Sequence, residues 1–248
     1  MIRDTTLFLR YEVAKTFRNP VWLLLGIMQP VLYLLMFAPL TSGLYGGSSE
    51  EALRAFTPAA LMMIAVFGSL FTGFGLIAEL RNGSLERLAV SPAWRPAIVL
   101  GRVFRDMLTL VTQAIIVFIV AALMGLRIGV LELLLMLLLM AATGLFASSL
   151  SQGLALAVRD EQGMSSIIQT FMLPVMLLAG LFLDISFAPD WMQAVAPVNP
   201  LYHAVEAGRA LFRGEVGSVE VPLAFGLFIV LAALTTTWSV RSLRRLAG

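Results

Sequence analysis

The residues that could do chemistry in this chain are few, and they form no recognisable catalytic set. There is one histidine, His203, and no cysteine, so an HExxH zinc site and a thiol nucleophile are excluded. No serine has a plausible histidine partner. The only lysine, Lys15, is not part of a GxxxxGK[ST] motif, so we expect no P-loop nucleotide hydrolysis by this chain. Any uphill transport would therefore draw its energy from a partner.

Carboxylates near the apolar runs are the next candidates for chemistry. Glu79, Asp106, Glu132 and Asp184 fall at the ends of those runs. A charged side chain in mid-membrane is costly and normally marks an ion or proton path. Because no carboxylate is expected near the centre of a run, the sequence argues against coupling to an ion gradient.

The composition indicates that hydrocarbon covers much of the surface. Of the 248 residues, 59% are hydrophobic and 13% are charged, and the mean hydropathy is +0.91, whereas a soluble domain carries about a quarter charged residues. Each long apolar run can supply the roughly 20 residues that a membrane-spanning helix needs. The predicted spans are about 21–40, 56–78, 108–126, 130–158, 164–183 and 221–240.

Basic residues predict the orientation of these six spans. Thirteen of the 17 Lys and Arg residues lie on the side of the two termini and four on the other side. The positive-inside rule therefore places both termini in the cytoplasm. We expect an integral membrane protein of the cytoplasmic (inner) membrane of a bacterium, in contact with lipid and with no nucleic-acid partner.

Two further segments are predicted to be helical without spanning the membrane. Residues 1–19 carry their apolar side chains on one face, which is typical of an amphipathic helix lying in the membrane interface. In 184–213, the short amphipathic pieces Asp190–Ala196 and Pro200–Arg213 are separated by PVNP, whose prolines interrupt a helix. The prediction is an all-α fold with an external re-entrant helical hairpin between spans five and six; an ordinary surface loop is the alternative.

One charged stretch interrupts the apolar pattern. Glu79–Asp106 holds five arginines between runs that are almost free of charge. Within it, NGSLERLAV (Asn82–Val90) can form about two helical turns, with Leu85 and Leu88 on one side. Such a helix could dock in a cleft of a cytoplasmic partner. Alternatively, the arginines only fix the topology and contact anionic lipid.

The chain resembles the membrane subunits of ABC-2 type transporters over essentially its whole length. The specific segments are ELRNGSLERLAVSPAWRPAIVLGR and LPVMLLAGLFLDISFAPDWMQAVAPVNPLYHAVEAGRALFRG. The nearest group is that of permeases paired with daunorubicin-resistance-type ATPases. The resemblance implies one transmembrane domain over 1–248. It also implies that two permeases, expected to be a homodimer, assemble with two P-loop ATPases, which hold ATP and Mg.

Several site residues follow from this resemblance. The coupling helix of the family matches Gly83–Val90, and its second cytoplasmic contact matches Arg159–Gly163. The segment 1–19 would also lie against the ATPase. The residues assigned to ATPase coupling are Glu79, Arg81, Gly83, Leu85, Glu86, Arg87, Leu88, Arg159, Asp160 and Glu161.

The resemblance also implies a substrate route between two permeases, lined mainly by spans one, two and five. On those spans the candidate route residues are Gln29, Tyr33, Phe67, Phe71, Phe74, Gln169 and Met172. They offer apolar and aromatic contacts and no charge, which favours an amphipathic or apolar cargo such as a drug, an antibiotic or a lipid.

Four functions can be compared at this point. The first is an exporter permease for such a cargo, which implies that the chain itself is not an enzyme, and the second is the same architecture exporting a polysaccharide or glycolipid. An ion-coupled transporter or channel is disfavoured by the predicted lack of mid-membrane charges, and a membrane enzyme by the lack of a catalytic set. The direction of transport, export and not import, rests on the resemblance alone.

Overall fold

The computed structural model describes residues 20–41, 43, 48–82 and 95–244, and their regular structure is helical throughout. The predicted interfacial helix at 1–19 lies outside these residues. The helices are α1 (Pro20–Thr41), α2 (Ser49–Leu70), α3 (Thr72–Arg81), α4 (Arg95–Leu123), α5 (Val130–Val158), α6 (Glu161–Leu178), α7 (Asp190–Val195), α8 (Pro200–Phe212) and α9 (Glu220–Arg244).

Four described stretches are long and apolar enough to cross a membrane. They are Ser49–Arg81, which comprises α2 and α3, and then Gly101–Leu123, Val130–Val158 and Glu220–Leu243. The spans predicted on α1 and α6 stay predictions; α6 ends at Leu178 and has 18 residues, or about 27 Å of helix. The two short helices α7 and α8 lie on either side of PVNP, and their depth in the membrane also stays a prediction.

Polar residues at the joints set where several helices begin and end. The side chain of Ser48 accepts a hydrogen bond from the backbone of Glu51 at 3.3 Å, and Asp160 accepts one from Gly163 at 2.8 Å. Asn199 caps α8 in the same way, followed by a proline at the first helical position. Such caps pair backbone donors that a helix start leaves free. Arg159 takes a left-handed conformation (φ 57°) that ends α5.

α5 lies at the centre of the bundle, in contact with α2, α3, α4, α6, α8 and α9. Its buried face is rich in small residues, including Gly144, Ala147, Ser148, Ser151 and Gly153. Small side chains allow close approach of helices in a membrane, where packing replaces the hydrophobic drive between helices. These small side chains therefore allow α5 to lie at the centre of the bundle, since larger ones would keep the neighbouring helices apart.

The second predicted span is broken at Phe71, between α2 and α3. The hydroxyl of Ser151 on α5 donates to the carbonyl of Leu70 at 2.5 Å and accepts from the backbone of Gly73 at 3.0 Å. A side chain that inserts into the hydrogen-bond ladder is an established cause of a helix break. The break is thus held by a contact from another helix.

Gly73 gives the first testable prediction. A Cβ there would lie 2.6 Å from the backbone oxygen of Ser151 and 2.5 Å from Met164, so Gly73→Ala forces α3 away from α5. We expect a loss of about 1–3 kcal/mol in the free energy of unfolding, measured in detergent. The matched control is Gly75→Ala in the same helix, where a Cβ meets nothing within 4 Å. Equal stability of both variants would contradict this packing.

The buried side chains form two clusters. The larger one includes Leu61, Met136, Leu139, Leu211 and Phe228 and joins α2, α5, α8 and α9. The smaller one lies around Ile77, close to Arg81, and we call that part of the bundle the Arg81 end. Its buried members are Leu76, Ile77, Val103, Ala155, Leu156, Met164, Ile168 and Leu243.

Candidate coupling and transport site

The Arg81 end brings together three of the residues that the resemblance assigned to ATPase coupling, Arg81, Asp160 and Glu161. Arg81, at the end of α3, places its guanidinium 3.2 Å from the carboxylate of Asp160 and 3.4 Å from that of Glu161. The three side chains are about half exposed, so each ion pair contributes about 0–1 kcal/mol. Their chief effect is to make one charged surface out of the ends of α3 and α6.

The other predicted coupling residues fall into two groups. The Nε atom of Arg159 donates to the carbonyl of Leu156 at 3.1 Å. This hydrogen bond pairs a carbonyl oxygen in the last turn of α5, where the helix itself supplies no donor. The residues Gly83, Leu85, Glu86, Arg87 and Leu88 lie outside the described residues. Their assignment to ATPase coupling therefore stays a prediction.

Glu79 has a different environment from Arg81. Its carboxylate pairs with the guanidinium of Arg102 on α4, and the two side chains are 18% and 8% exposed. This pair joins the helix that precedes the segment 83–94 to the helix that follows it. Burying a charge is costly unless it is paired, so removing one partner is expected to cost far more than breaking the exposed pairs of Arg81.

Asp106 is buried, although the sequence predicted it to lie just before the third span. The predicted third span began at 108, whereas α4 runs from Arg95 to Leu123 and its stretch of membrane length includes Asp106. Its side chain is buried and accepts a hydrogen bond from the hydroxyl of Ser148 at 2.5 Å. It also forms an ion pair with the guanidinium of Arg105 at 2.6 Å. Arg102 and Asp106 are four residues apart and therefore share one face of α4. This spacing, which can be read from the sequence, was a sign that both charged side chains lie on the same side of the helix.

Tyr33, a predicted route residue on α1, has a buried side chain that contacts the turn after α6. Its hydroxyl donates to the carbonyls of Leu181 at 2.5 Å and Phe182 at 2.9 Å, and its ring stacks on Phe37 with centroids 4.5 Å apart. In this conformation the side chain fixes the position of α1. Gln29 belongs to α1, but its side chain is outside the described part of the chain.

The other route residues lie on two faces. Phe67, Phe71 and Phe74 form a stacked row along α2 and α3, with centroid separations of 6.5 and 5.8 Å, and Phe71 is half exposed. Gln169 is exposed on α6, where its amide donates to Ser165 at 2.7 Å. Met172 lies on the same helix but lines a groove on the side of α6 that faces α5.

That groove lies between α5 and α6 and encloses about 270 Å³. Leu150, Phe171, Met172 and Val175 are among the side chains that line it. Its lining is almost wholly apolar, so it suits hydrocarbon and offers no anchor for an ion. Phe171 and Leu173 of α6 are largely exposed outside the bundle, as lipid-facing or helix-facing residues of a membrane protein are.

At the opposite end of the bundle, a buried arginine fastens α8 to the end of α6. Arg209 is 3% exposed; its guanidinium lies 2.6 Å from Glu206 and 3.6 Å from Asp184, and it donates to the carbonyl of Gly180 at 2.7 Å. The φ of Gly180 is +70°, a conformation that favours glycine. From the sequence alone, Asp184 was a carboxylate at the end of a predicted span, and Glu206 and Arg209 belonged to the external segment without a predicted role.

Asp184 stays ionised in this cluster. Burial opposes its ionisation, but attraction to Arg209 and hydrogen bonds from Ser186 together outweigh burial, so the pKa of Asp184 lies below its usual value. The pKa of Tyr202 is raised by burial and by the nearby carboxylate of Glu206.

The fold defines the class of protein, and the comparisons define the family. A helical bundle whose described part holds four apolar helical stretches of membrane length is a multi-pass membrane protein. The chain matches the ABC-2 type transporter family over residues 3–212 and belongs to that family. The family is one of membrane permease subunits that are not themselves enzymes, and it normally works with an ATPase partner.

Curated relatives agree with this family. The daunorubicin resistance ABC transporter permease protein DrrB1 of Streptomyces coeruleorubidus is 28% identical over 222 residues, which cover 87% of this chain and 78% of the relative. The ycf38 protein of Cyanophora paradoxa is 26% identical over 79% of this chain and 69% of its own. That of Pyropia yezoensis is 25% identical over 86% of this chain and 75% of its own.

Proposed function

We propose that this chain is the permease subunit of an ATP-driven exporter, powered by a separate P-loop ATPase that docks on its Arg81 end. The observation that carries the proposal is the contact of Arg81 with Asp160 and Glu161. It joins three residues that the resemblance assigns to ATPase coupling and leaves them half exposed, next to the segment 83–94 that would hold the coupling helix. ATP and Mg are held by the ATPase, and the permease performs no chemistry.

The proposed assembly has two permeases and two ATPases in the cytoplasmic membrane. Each permease has six spans, with α1 and α6 as the first and fifth, and both termini in the cytoplasm. The largely exposed apolar side chains Met36 and Leu40 of α1 and Phe171 of α6 support a second copy or lipid against these helices. Closure of the ATPases rocks the helices and opens the route outward, a shift between two packings of the bundle.

The proposed cargo is an amphipathic or apolar small molecule. The Phe67–Phe71–Phe74 row and the exposed face of α6 offer aromatic and apolar contacts with few polar anchors. The name of the Streptomyces relative, a daunorubicin resistance permease, makes daunorubicin a suitable probe of this cargo class.

Inside-out membrane vesicles test the proposal. Vesicles that contain the chain and its co-purifying ATPase are expected to take up daunorubicin when ATP is added, measured by quenching of its fluorescence. Vesicles whose ATPase lacks the P-loop lysine are the control. ATP-dependent transfer of a lipid-linked glycan without daunorubicin uptake would favour a glycan exporter. Uptake driven by a proton gradient in the absence of ATP would contradict the proposal.

A further inference from the structure

A buried ion pair brackets the segment that is proposed to receive the ATPase. Glu79 lies two residues before the end of α3 and Arg102 two turns into α4, and the segment 83–94 belongs to the chain between those helices. Both side chains are largely buried. Any force on the segment therefore reaches two helices that are already fastened together.

The packing around this pair makes α3 part of the Arg81 end and not an extension of α2. Leu76 and Ile77 of α3 pack with Val103 of α4 and Leu156 of α5 in the smaller cluster, whereas the buried residues of α2 belong to the larger one. The break at Phe71, held by Ser151, lies between the two clusters. The break therefore separates the packing of α3 from that of α2, while α4 and α5 contribute to both clusters.

The ion pair adds a property that apolar packing lacks. Hydrophobic contact is non-directional, so two apolar faces can slide past one another at little cost. A guanidinium–carboxylate pair has fixed geometry, and in a buried site separation of the charges is strongly opposed. One turn further along α4, the contact of Asp106 with Ser148 continues the connection into α5.

We propose that Glu79 and Arg102 are a positioning pair that transmits ATPase movement from the segment 83–94 to the length of α4. This inference rests on the proposed function. Neither residue contacts cargo or nucleotide; the pair keeps α3 and α4 in register while the Arg81 end moves.

Spin labels in this cysteine-free chain can measure the transmission without knowing the cargo. One labelled cysteine replaces Ala78, exposed on α3, and another replaces Leu123, exposed at the far end of α4. In the complete complex with its ATPase, electron–electron distances between the two copies are recorded with and without ATP. For the wild-type pair, both label positions are expected to shift on ATP binding.

Glu79→Gln removes the charge and keeps the shape of the side chain. We expect this variant to bind the ATPase and to keep the ATP-dependent shift at 78, but to lose the shift at 123. The double variant Glu79→Arg with Arg102→Glu is expected to restore it, which a general loss of stability would not allow. The control is Glu50→Gln, which breaks the more exposed pair with Arg54 at the opposite end of the bundle and should leave both shifts unchanged.

The possible outcomes distinguish the positioning role of the Glu79–Arg102 pair from the proposed function of the chain. A full shift at 123 in Glu79→Gln would overturn the positioning role while leaving the proposed function intact. If Glu79→Gln fails to fold, the charge-swapped double variant decides, since a folded double variant without the shift at 123 also overturns the role. A wild-type chain that binds no ATPase would overturn the proposed function and this inference with it.

Discussion

Transport stops when Leu85 and Leu88 are both replaced by aspartate: this is the largest functional effect we expect from a change in this chain. The pattern NGSLERLAV predicts a short helix that presents both leucines to the ATPase. Two carboxylates in a desolvated interface are expected to weaken docking by about a hundredfold or more. ATP-driven daunorubicin uptake into inside-out vesicles, together with recovery of the ATPase on the purified chain, measures the effect.

The matched control keeps the apolar face. Leu85→Met with Leu88→Met preserves volume and hydrophobicity, and such swaps are well tolerated, so uptake should stay near the wild-type rate. The amount of each variant in the membrane fraction shows that insertion is intact. Undiminished uptake by the double aspartate variant would mean that 83–90 is not the docking helix and that the arginines near it only set the topology.

The largest effect on stability is expected for Arg209→Gln. The substitution leaves Asp184 and Glu206 without the guanidinium that lies 3.6 and 2.6 Å from them, and it removes the hydrogen bond to Gly180. Removal of one partner from a buried ion pair costs about 3–5 kcal/mol. We expect a markedly lower unfolding midpoint in detergent, with α8 detached from the end of α6.

Arg213→Gln is the control, because Arg213 is half exposed and pairs with Glu215 at 3.2 Å; exposed pairs contribute about 0–1 kcal/mol. The pH dependence gives a second check. Since the folded pKa of Asp184 is lowered, its contribution to stability is present above the usual carboxyl pKa and is lost as the pH falls through the folded pKa. The deficit of Arg209→Gln should therefore shrink below about pH 4. A constant deficit at all pH values would exclude the charge mechanism.

Some elements could be predicted from sequence because local signals coincide with them. α5 has the predicted bounds 130–158, since an apolar run of membrane length lies there between Gly129 and the charged pair Arg159-Asp160. The second span was predicted to begin at 56, but α2 begins at Ser49. A prediction from hydropathy leaves the charged residues Glu50, Glu51 and Arg54 out of the span. They are nonetheless part of the helix, whose start is capped by a serine.

Other features depend on contacts between distant residues. The break at Phe71 requires Ser151, which is about 80 residues away, so no local pattern around Phe71 reveals it. The burial of Asp106 similarly depends on Ser148 of α5. The hydroxyl of Tyr33 donates to two carbonyls after α6 that are about 150 residues away, and its place on the substrate route stays a prediction. One-dimensional spacing places residues at a depth, and only packing decides which face they occupy.

If this permease is driven by an ATPase docked at its Arg81 end, affinity purification of the chain from its native membrane in mild detergent should recover that ATPase. We expect a P-loop ATPase in a near one-to-one ratio with the wild-type chain and its loss from the Leu85→Asp, Leu88→Asp variant. Recovery of a folded wild-type chain with no ATPase would contradict the account and indicate a membrane protein that works without one.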